Sequence, residues 1–123
     1  MITERVRGAE VSFDGRLFKV VIDAGHDVDV EDTRAWMAAQ LRLAPGCVPV
    51  LIDTRALRSM TRSAQEATTN GTLVGRTARV AVLVGSPVSV MIGNFFLIFA
   101  KPPYPSRLFT SELEALAWLG EPA

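Results

Sequence analysis

Residues 80–100 read VAVLVGSPVSVMIGNFFLIFA, and this run without a charged side chain is long enough to cross a membrane. The Gly-Ser-Pro sequence at 85–87 interrupts the run near its start. These three residues stand in the order that ends a strand, caps a helix and fills the first helical position. The pattern therefore predicts a buried strand over residues 78–84 and a very apolar helix over residues 87–100.

The segments on both sides of this pair predict strands and helices in alternation. An Asp-Gly turn joins two apolar segments near the N-terminus and indicates a hairpin, whereas a capping box begins the last helix. Such alternation with short connections is typical of an α/β fold with one mixed, mostly parallel sheet, an N-terminal hairpin and about four helices. In the first predicted helix, Trp36 points about 100° away from the inward stripe, which places it at the helix flank or in an interface. The other predicted elements are strands over 11–13, 17–22, 47–53 and 107–109, and helices over 30–43, from 61 to about 70, and from 111 to about 120.

The composition is that of an ordinary globular protein. Apolar residues make up 49% and charged residues 21% of the 123 residues, enough to bury the core of one domain over residues 1–123. Thirteen basic and thirteen acidic side chains cancel, so net charge draws the chain neither to nucleic acid nor to an anionic membrane. A lone cysteine is typical of a reducing compartment, and the N-terminus lacks the apolar core of a secretory signal. We therefore expect a cytoplasmic protein without a membrane span or a nucleic-acid partner.

The sequence contains no catalytic or metal-binding signature, so we expect neither an enzyme nor a cofactor. His26 is the only histidine, and its Gly-His-Asp turn favours an exposed loop residue over a metal ligand or a general base. Cys47 fits a buried thiol that packs like a small apolar side chain. A hydrolase or transferase using hydroxyls at the ends of the predicted parallel strands would need a base, for which His26 is the one candidate. A small anion at the helix N-terminus beside Ser86 is a further alternative, although capping explains this serine without a ligand.

The helix over residues 87–100 is apolar on both sides, and this feature carries the functional hypotheses. The stripe expected to face the sheet consists of Val88, Ile92, Phe95 and Phe99. The opposite side, where a surface helix should show charges, holds Val90, Gly93, Asn94, Leu97 and Ile98. We therefore expect this outward side to form a homodimer contact or a docking site for a regulatory protein.

Two other arrangements would account for the same surplus of apolar residues. In the first, the KPPYP segment at 101–105 folds back and Tyr104 covers the outward side of the helix. In the second, a lipid or another apolar small molecule binds between the helix and the sheet. The residues that would line such a pocket are Met91, Phe95, Phe96 and Phe99.

Three stretches carry a resemblance that covers more than half of the chain. They read IDTRALRSMT at 52–61, VGSPVSVMIGNFF at 84–96 and KPPYPSRLFTSELEALAWL at 101–119. Together they resemble a family of uncharacterised bacterial proteins with the SpoIIAA-like fold, which is the fold of STAS domains and anti-sigma-factor antagonists. The resemblance implies a mixed sheet flanked by helices and often a homodimer.

The antagonists of this fold carry an Asp-Ser-Ser-Gly motif at the start of the helix after the third strand, where a partner kinase phosphorylates a serine. In this sequence Thr61 stands in place of the aspartate and Arg62 in place of the phosphorylated serine. Ser63 is retained, and Ala64 replaces the glycine. Arg62 has no hydroxyl and reverses the local charge, so the resemblance implies a STAS-like module without the usual phosphorylatable serine.

Overall fold

A six-stranded mixed sheet forms the centre of the computed structural model, which describes residues 1–120 apart from the side chain of Phe99. Its strands are β1 (Ile2–Val6), β2 (Ala9–Phe13), β3 (Phe18–Ile22), β5 (Val48–Asp53), β7 (Thr77–Leu83) and β8 (Ser106–Phe109), while β4 (Asp27–Val28) and β6 (Ser59–Met60) pair separately. The order across the sheet is β1-β2-β3-β5-β7-β8. Strands β1 to β3 are antiparallel, and β3, β5, β7 and β8 run parallel. The predicted mixed, mostly parallel sheet with an N-terminal hairpin is confirmed.

Strand β1 was not predicted, and it extends the hairpin to three strands. It lies at the edge of the sheet, where Ile2 is 47% exposed and Val6 is half-buried. A strand with so few buried side chains has no apolar run that a sequence pattern could reveal.

Four helices pack on the sheet, as predicted. They are α1 (Val30–Leu43), α2 (Arg62–Ala67), α3 (Pro87–Phe95) and α4 (Glu112–Leu119), and α3 continues without a break as a π-helix over Phe96–Ala100. The first three helices lie on one face, since Trp36, Ala64 and Ile92 belong to one buried cluster. Helix α4 lies on the other face, where Ala115 and Leu119 pack in a second cluster.

The apolar run over residues 80–100 is divided as the sequence pattern predicts. Strand β7 ends at Leu83, and α3 begins at Pro87 after the N-cap Ser86. The hydroxyl oxygen of Ser86 accepts a hydrogen bond from the Ser89 amide at 3.1 Å, which fixes the first turn of the helix. Among the residues that the structure describes, no helix has the length and apolarity needed to span a membrane.

Candidate functional site

Helix α3 and its π-helical continuation expose an apolar surface on their outward side. Met91 and Ile98 are 66% and 59% exposed, and Val88 is 38% exposed. Phe95 is half-buried beside them. We call Val88, Met91, Phe95 and Ile98 the outer stripe, because positions three and four residues apart lie on one side of a helix. The sequence has no charged residue from Pro87 to Ala100, so the outer stripe is also uncharged.

Two residues that were predicted to face outward lie on the inward side of the helix. Gly93 is buried, and a Cβ atom added to it would lie 2.7 Å from Cδ2 of Leu108. Leu97 is half-buried and packs against the core. The predicted outward placement of Gly93 and Leu97 is therefore wrong, whereas Val90 and Asn94 are exposed.

A buried serine explains why the helix is rotated relative to the prediction. Ser89 is 0% exposed, and its hydroxyl oxygen accepts hydrogen bonds from the amides of Gly85 and Ser86, both at 2.9 Å. Turning Ser89 inward turns the neighbouring Val88 outward. The wider π-helical turn after Phe95 then keeps Leu97 on the inward side. Because Ser89 already uses these amides, the geometry does not favour an anion at this helix N-terminus.

The KPPYP segment leaves the outer stripe uncovered. The hydroxyl of Tyr104 donates a hydrogen bond to the Thr68 carbonyl at 2.8 Å, which anchors the segment at the end of α2. Its ring packs against the main core. The alternative in which Tyr104 covers the outward side of α3 is therefore wrong.

The residues at the place of the antagonist motif begin α2 beside the outer stripe. Thr61 is the N-cap, and its Oγ1 accepts a hydrogen bond from the Ala64 amide at 3.1 Å. The guanidinium carbon of Arg62 lies 5.2 Å from the centre of the Phe95 ring, a cation–π contact. Ser63 is exposed. A cation thus stands next to the outer stripe where the antagonists carry their phosphorylated serine.

Two adjoining cavities lie between the sheet and the helices α1, α2 and α3. Their volumes are about 50 and about 60 Å³. The walls that they share are formed by Thr33, Trp36, Ile52, Thr68 and Phe96. We call the pair the interior cavity. The predicted alternative of an apolar ligand between the helix and the sheet places that ligand in the same layer.

The residues predicted to line an apolar pocket are distributed over two places. Phe96 is in the wall of the interior cavity. Met91 and Phe95 line a surface groove between α2 and α3 instead. The side chain of Phe99 lies outside the described part of the chain. Sequence reasoning missed Thr33 and Gln65, two wall residues whose polar side chains gave no sign that they face the core.

His26 is not the exposed loop residue that the sequence predicted. Its Nε2 lies 2.8 Å from Oδ2 of Asp32. The same carboxylate accepts a hydrogen bond from Arg7 at Oδ1 and another from the Asp29 amide at Oδ2. Burial raises the pKa of the Asp32 carboxyl, but the hydrogen bonds from Asp29, His26 and Arg7 lower it by a larger amount. The pKa therefore lies below its ordinary value. The contact anchors the loop after β3 to the first turn of α1.

The lone cysteine and the hydroxyl at the end of β5, two groups that chemistry could use, do not lie together in one site. Cys47 is exposed, so the predicted buried thiol is wrong; it follows the Gly46 turn ahead of β5. Thr54 Oγ1 donates to the Leu83 carbonyl at 2.6 Å, between neighbouring parallel strands. Within residues 1–120, no three His, Cys, Asp or Glu side chains are grouped so that they could hold a metal ion.

Asp53 at the end of β5 makes the stability of the fold dependent on pH. Burial raises the pKa of Asp53, but hydrogen bonds from the side chain and amide of Arg55 lower it by a larger amount. The pKa therefore lies below the ordinary value of 3.8. Since the folded-state pKa is the lower one, the carboxylate stabilises the fold above about pH 4, and this contribution is lost as the pH falls through the folded-state pKa. We expect Asp53→Asn to lower the free energy of unfolding at pH 7 by about 1 to 3 kcal/mol and to weaken its acid dependence.

Urea unfolding at neutral and at acidic pH measures this effect. Glu66→Gln, which neutralises an exposed carboxylate on α2, is the control. Equal acid dependence in the Asp53→Asn and Glu66→Gln proteins would contradict the assignment to Asp53.

The order of strands and the placement of helices on both faces define a SpoIIAA-like α/β protein. Among solved structures, the chain is similar to an uncharacterized protein from the DUF3478 family with a SpoIIAA-like fold from Shewanella loihica PV-4. The two share 18% sequence identity with a TM-score of 0.62, over 97% of this chain and 99% of that one. The family model for a domain of unknown function, DUF7793, matches residues 11–122, and the chain belongs to this family. No curated protein matches the sequence.

Proposed function

We propose that this chain is a non-enzymatic, cytoplasmic interaction module whose outer stripe packs against a second copy of the chain. The proposal rests on one observation: α3 and its π-helical continuation expose apolar side chains and contain no charged residue. Met91 and Ile98 stand out from α3 and its continuation with more than half of their surface in water. Apolar strips of this kind are typical of surfaces that bind another protein.

A second copy fits this surface because an uncharged strip can pair with itself. In a two-fold dimer the same patch contacts its own copy, so like charges would face each other wherever the patch carried them. The outer stripe has none. Met91 would lie near the centre of such a contact, since methionine is enriched in interfaces, and Phe95, with the Arg62 cation on its ring, would lie toward the rim.

The test is the self-association of purified variants, measured by sedimentation equilibrium. Met91→Lys is expected to weaken the dimer more than tenfold, because a charge then replaces a side chain that dimerisation buries. Met91 is exposed in the monomer, so the substitution should change the free energy of unfolding by no more than about 0.5 kcal/mol.

Leu113→Lys is the matched control. Leu113 is 80% exposed on α4, on the opposite face of the sheet, and the substitution likewise replaces an exposed apolar side chain with lysine, away from the outer stripe. A monomer at every concentration tested, or equal weakening by Met91→Lys and Leu113→Lys, would refute the proposed self-association through this stripe.

A further inference from the structure

The interior cavity contains buried polar atoms that its own chain leaves without hydrogen bonds. Thr33 and Gln65 are 2% and 8% exposed. Within the described part of the chain, Oγ1 of Thr33 and Oε1 of Gln65 have no hydrogen-bond partner. Both residues line the larger cavity, and Thr33 also lines the smaller one.

These two polar atoms lack the hydrogen bonds that such groups usually make. A threonine hydroxyl within a helix often bonds to the carbonyl of the preceding turn, but that of Thr33 does not. Gln65 Nε2 donates to the Met60 carbonyl at 3.3 Å, which leaves Oε1 as the free atom of the amide. By contrast, Oγ1 of Thr68, in the same wall, donates to the Gln65 carbonyl at 2.6 Å. Buried polar atoms are nearly always paired in folded proteins, so each exception requires an explanation.

The rest of the wall is apolar and aromatic. The side chains of Trp36 and Phe96 border both cavities, and so does Ile52 from β5. A cavity with mostly apolar walls accepts small apolar molecules. The walls therefore favour a compact ring or a short branched chain.

We infer that the interior cavity binds a small apolar molecule that carries one hydroxyl group, of the size and polarity of a simple phenol. The ring packs between Trp36 and Phe96. The hydroxyl donates to a buried oxygen, Thr33 Oγ1 or Gln65 Oε1, that otherwise has no partner. This site is separate from the outer stripe and does not depend on self-association.

The experiment is a titration of the purified protein with phenol and with benzene, followed by the methyl resonances in NMR spectra. We expect both compounds to shift the methyl signals of Ile52, and phenol to bind about fivefold to tenfold more tightly because of one additional buried hydrogen bond. Thr33→Val keeps the shape of the side chain and removes its hydroxyl, so it should abolish or reduce the preference for phenol.

Thr68→Val is the matched control, because it makes the same chemical change in the same wall at a hydroxyl that already has a partner. It should leave the preference for phenol unchanged. If the preference survives Thr33→Val, the same titration on Gln65→Met decides whether Gln65 is the acceptor, and a preference that survives both substitutions overturns the assignment. Equal affinity for phenol and benzene, no binding of either, or shifts confined to Met91 on the outer stripe would also overturn it.

Discussion

Replacing Trp36 with alanine is expected to lower the free energy of unfolding by about 3 to 5 kcal/mol, the range found when a large aromatic side chain is removed from a core. Trp36 is 7% exposed, and it forms part of the wall of the interior cavity. Its Nε1 donates a hydrogen bond to the Val6 carbonyl at 2.7 Å, which ties α1 to the edge strand β1. Urea unfolding followed by circular dichroism measures the change.

Trp36→Phe separates the contribution of the hydrogen bond from that of the ring. It retains much of the apolar volume and removes the donor, so the expected loss is about 1 to 2 kcal/mol. If Trp36→Ala costs no more than Trp36→Phe, the ring does not support the core as described.

Replacing Gly8 with alanine is expected to lower the free energy of unfolding by about 2 to 4 kcal/mol, for two separate reasons. Gly8 has a φ of +78°, a conformation that is strained for alanine. A Cβ atom at this position would also lie 2.4 Å from Nε2 of His26. The ring would have to move, and the hydrogen bond between His26 and Asp32 would be lost.

Gly25→Ala measures the backbone strain alone. Gly25 has a similar φ of +73°, and no atom lies within 4 Å of the added Cβ atom. The expected loss is therefore only about 1 to 2 kcal/mol. In a background of His26→Ala, the effect of Gly8→Ala should fall to that of Gly25→Ala. An unchanged effect in that background would show that the clash with the ring is not the cause.

Local chemistry explains which parts of the fold were predictable. The Gly-Ser-Pro sequence at 85–87 determines locally where β7 ends and α3 begins. The Asp-Gly turn likewise fixes the hairpin of β2 and β3, since Asp14 Oδ1 accepts hydrogen bonds from the amides of Arg16 and Leu17. The order of elements in the structure also agrees with the SpoIIAA-like fold that the resemblance implied.

Features that depend on distant parts of the chain were not predictable. Trp36 was expected at the flank of α1 or in an interface, but it is buried because the Val6 carbonyl on a distant strand supplies a partner for its N–H group. His26 is held by Asp32, which also pairs with Arg7, and its ring lies against Gly8; the sequence offers no means to place Arg7 and Gly8 beside this loop. The outward side of α3 was misassigned because a serine, Ser89, faces inward and accepts two backbone amides.

The two outer strands of the sheet bear on how copies of this chain can associate. Exposed strand edges can template the addition of strands from other molecules, which leads to aggregates. Strand β1 carries Glu4 and Arg5, which pair with Arg42 and Asp23 respectively. At the other edge, β8 is four residues long and follows Pro105 directly. Short, charged and proline-flanked edges resist the addition of strands, so unlimited growth through the sheet is disfavoured.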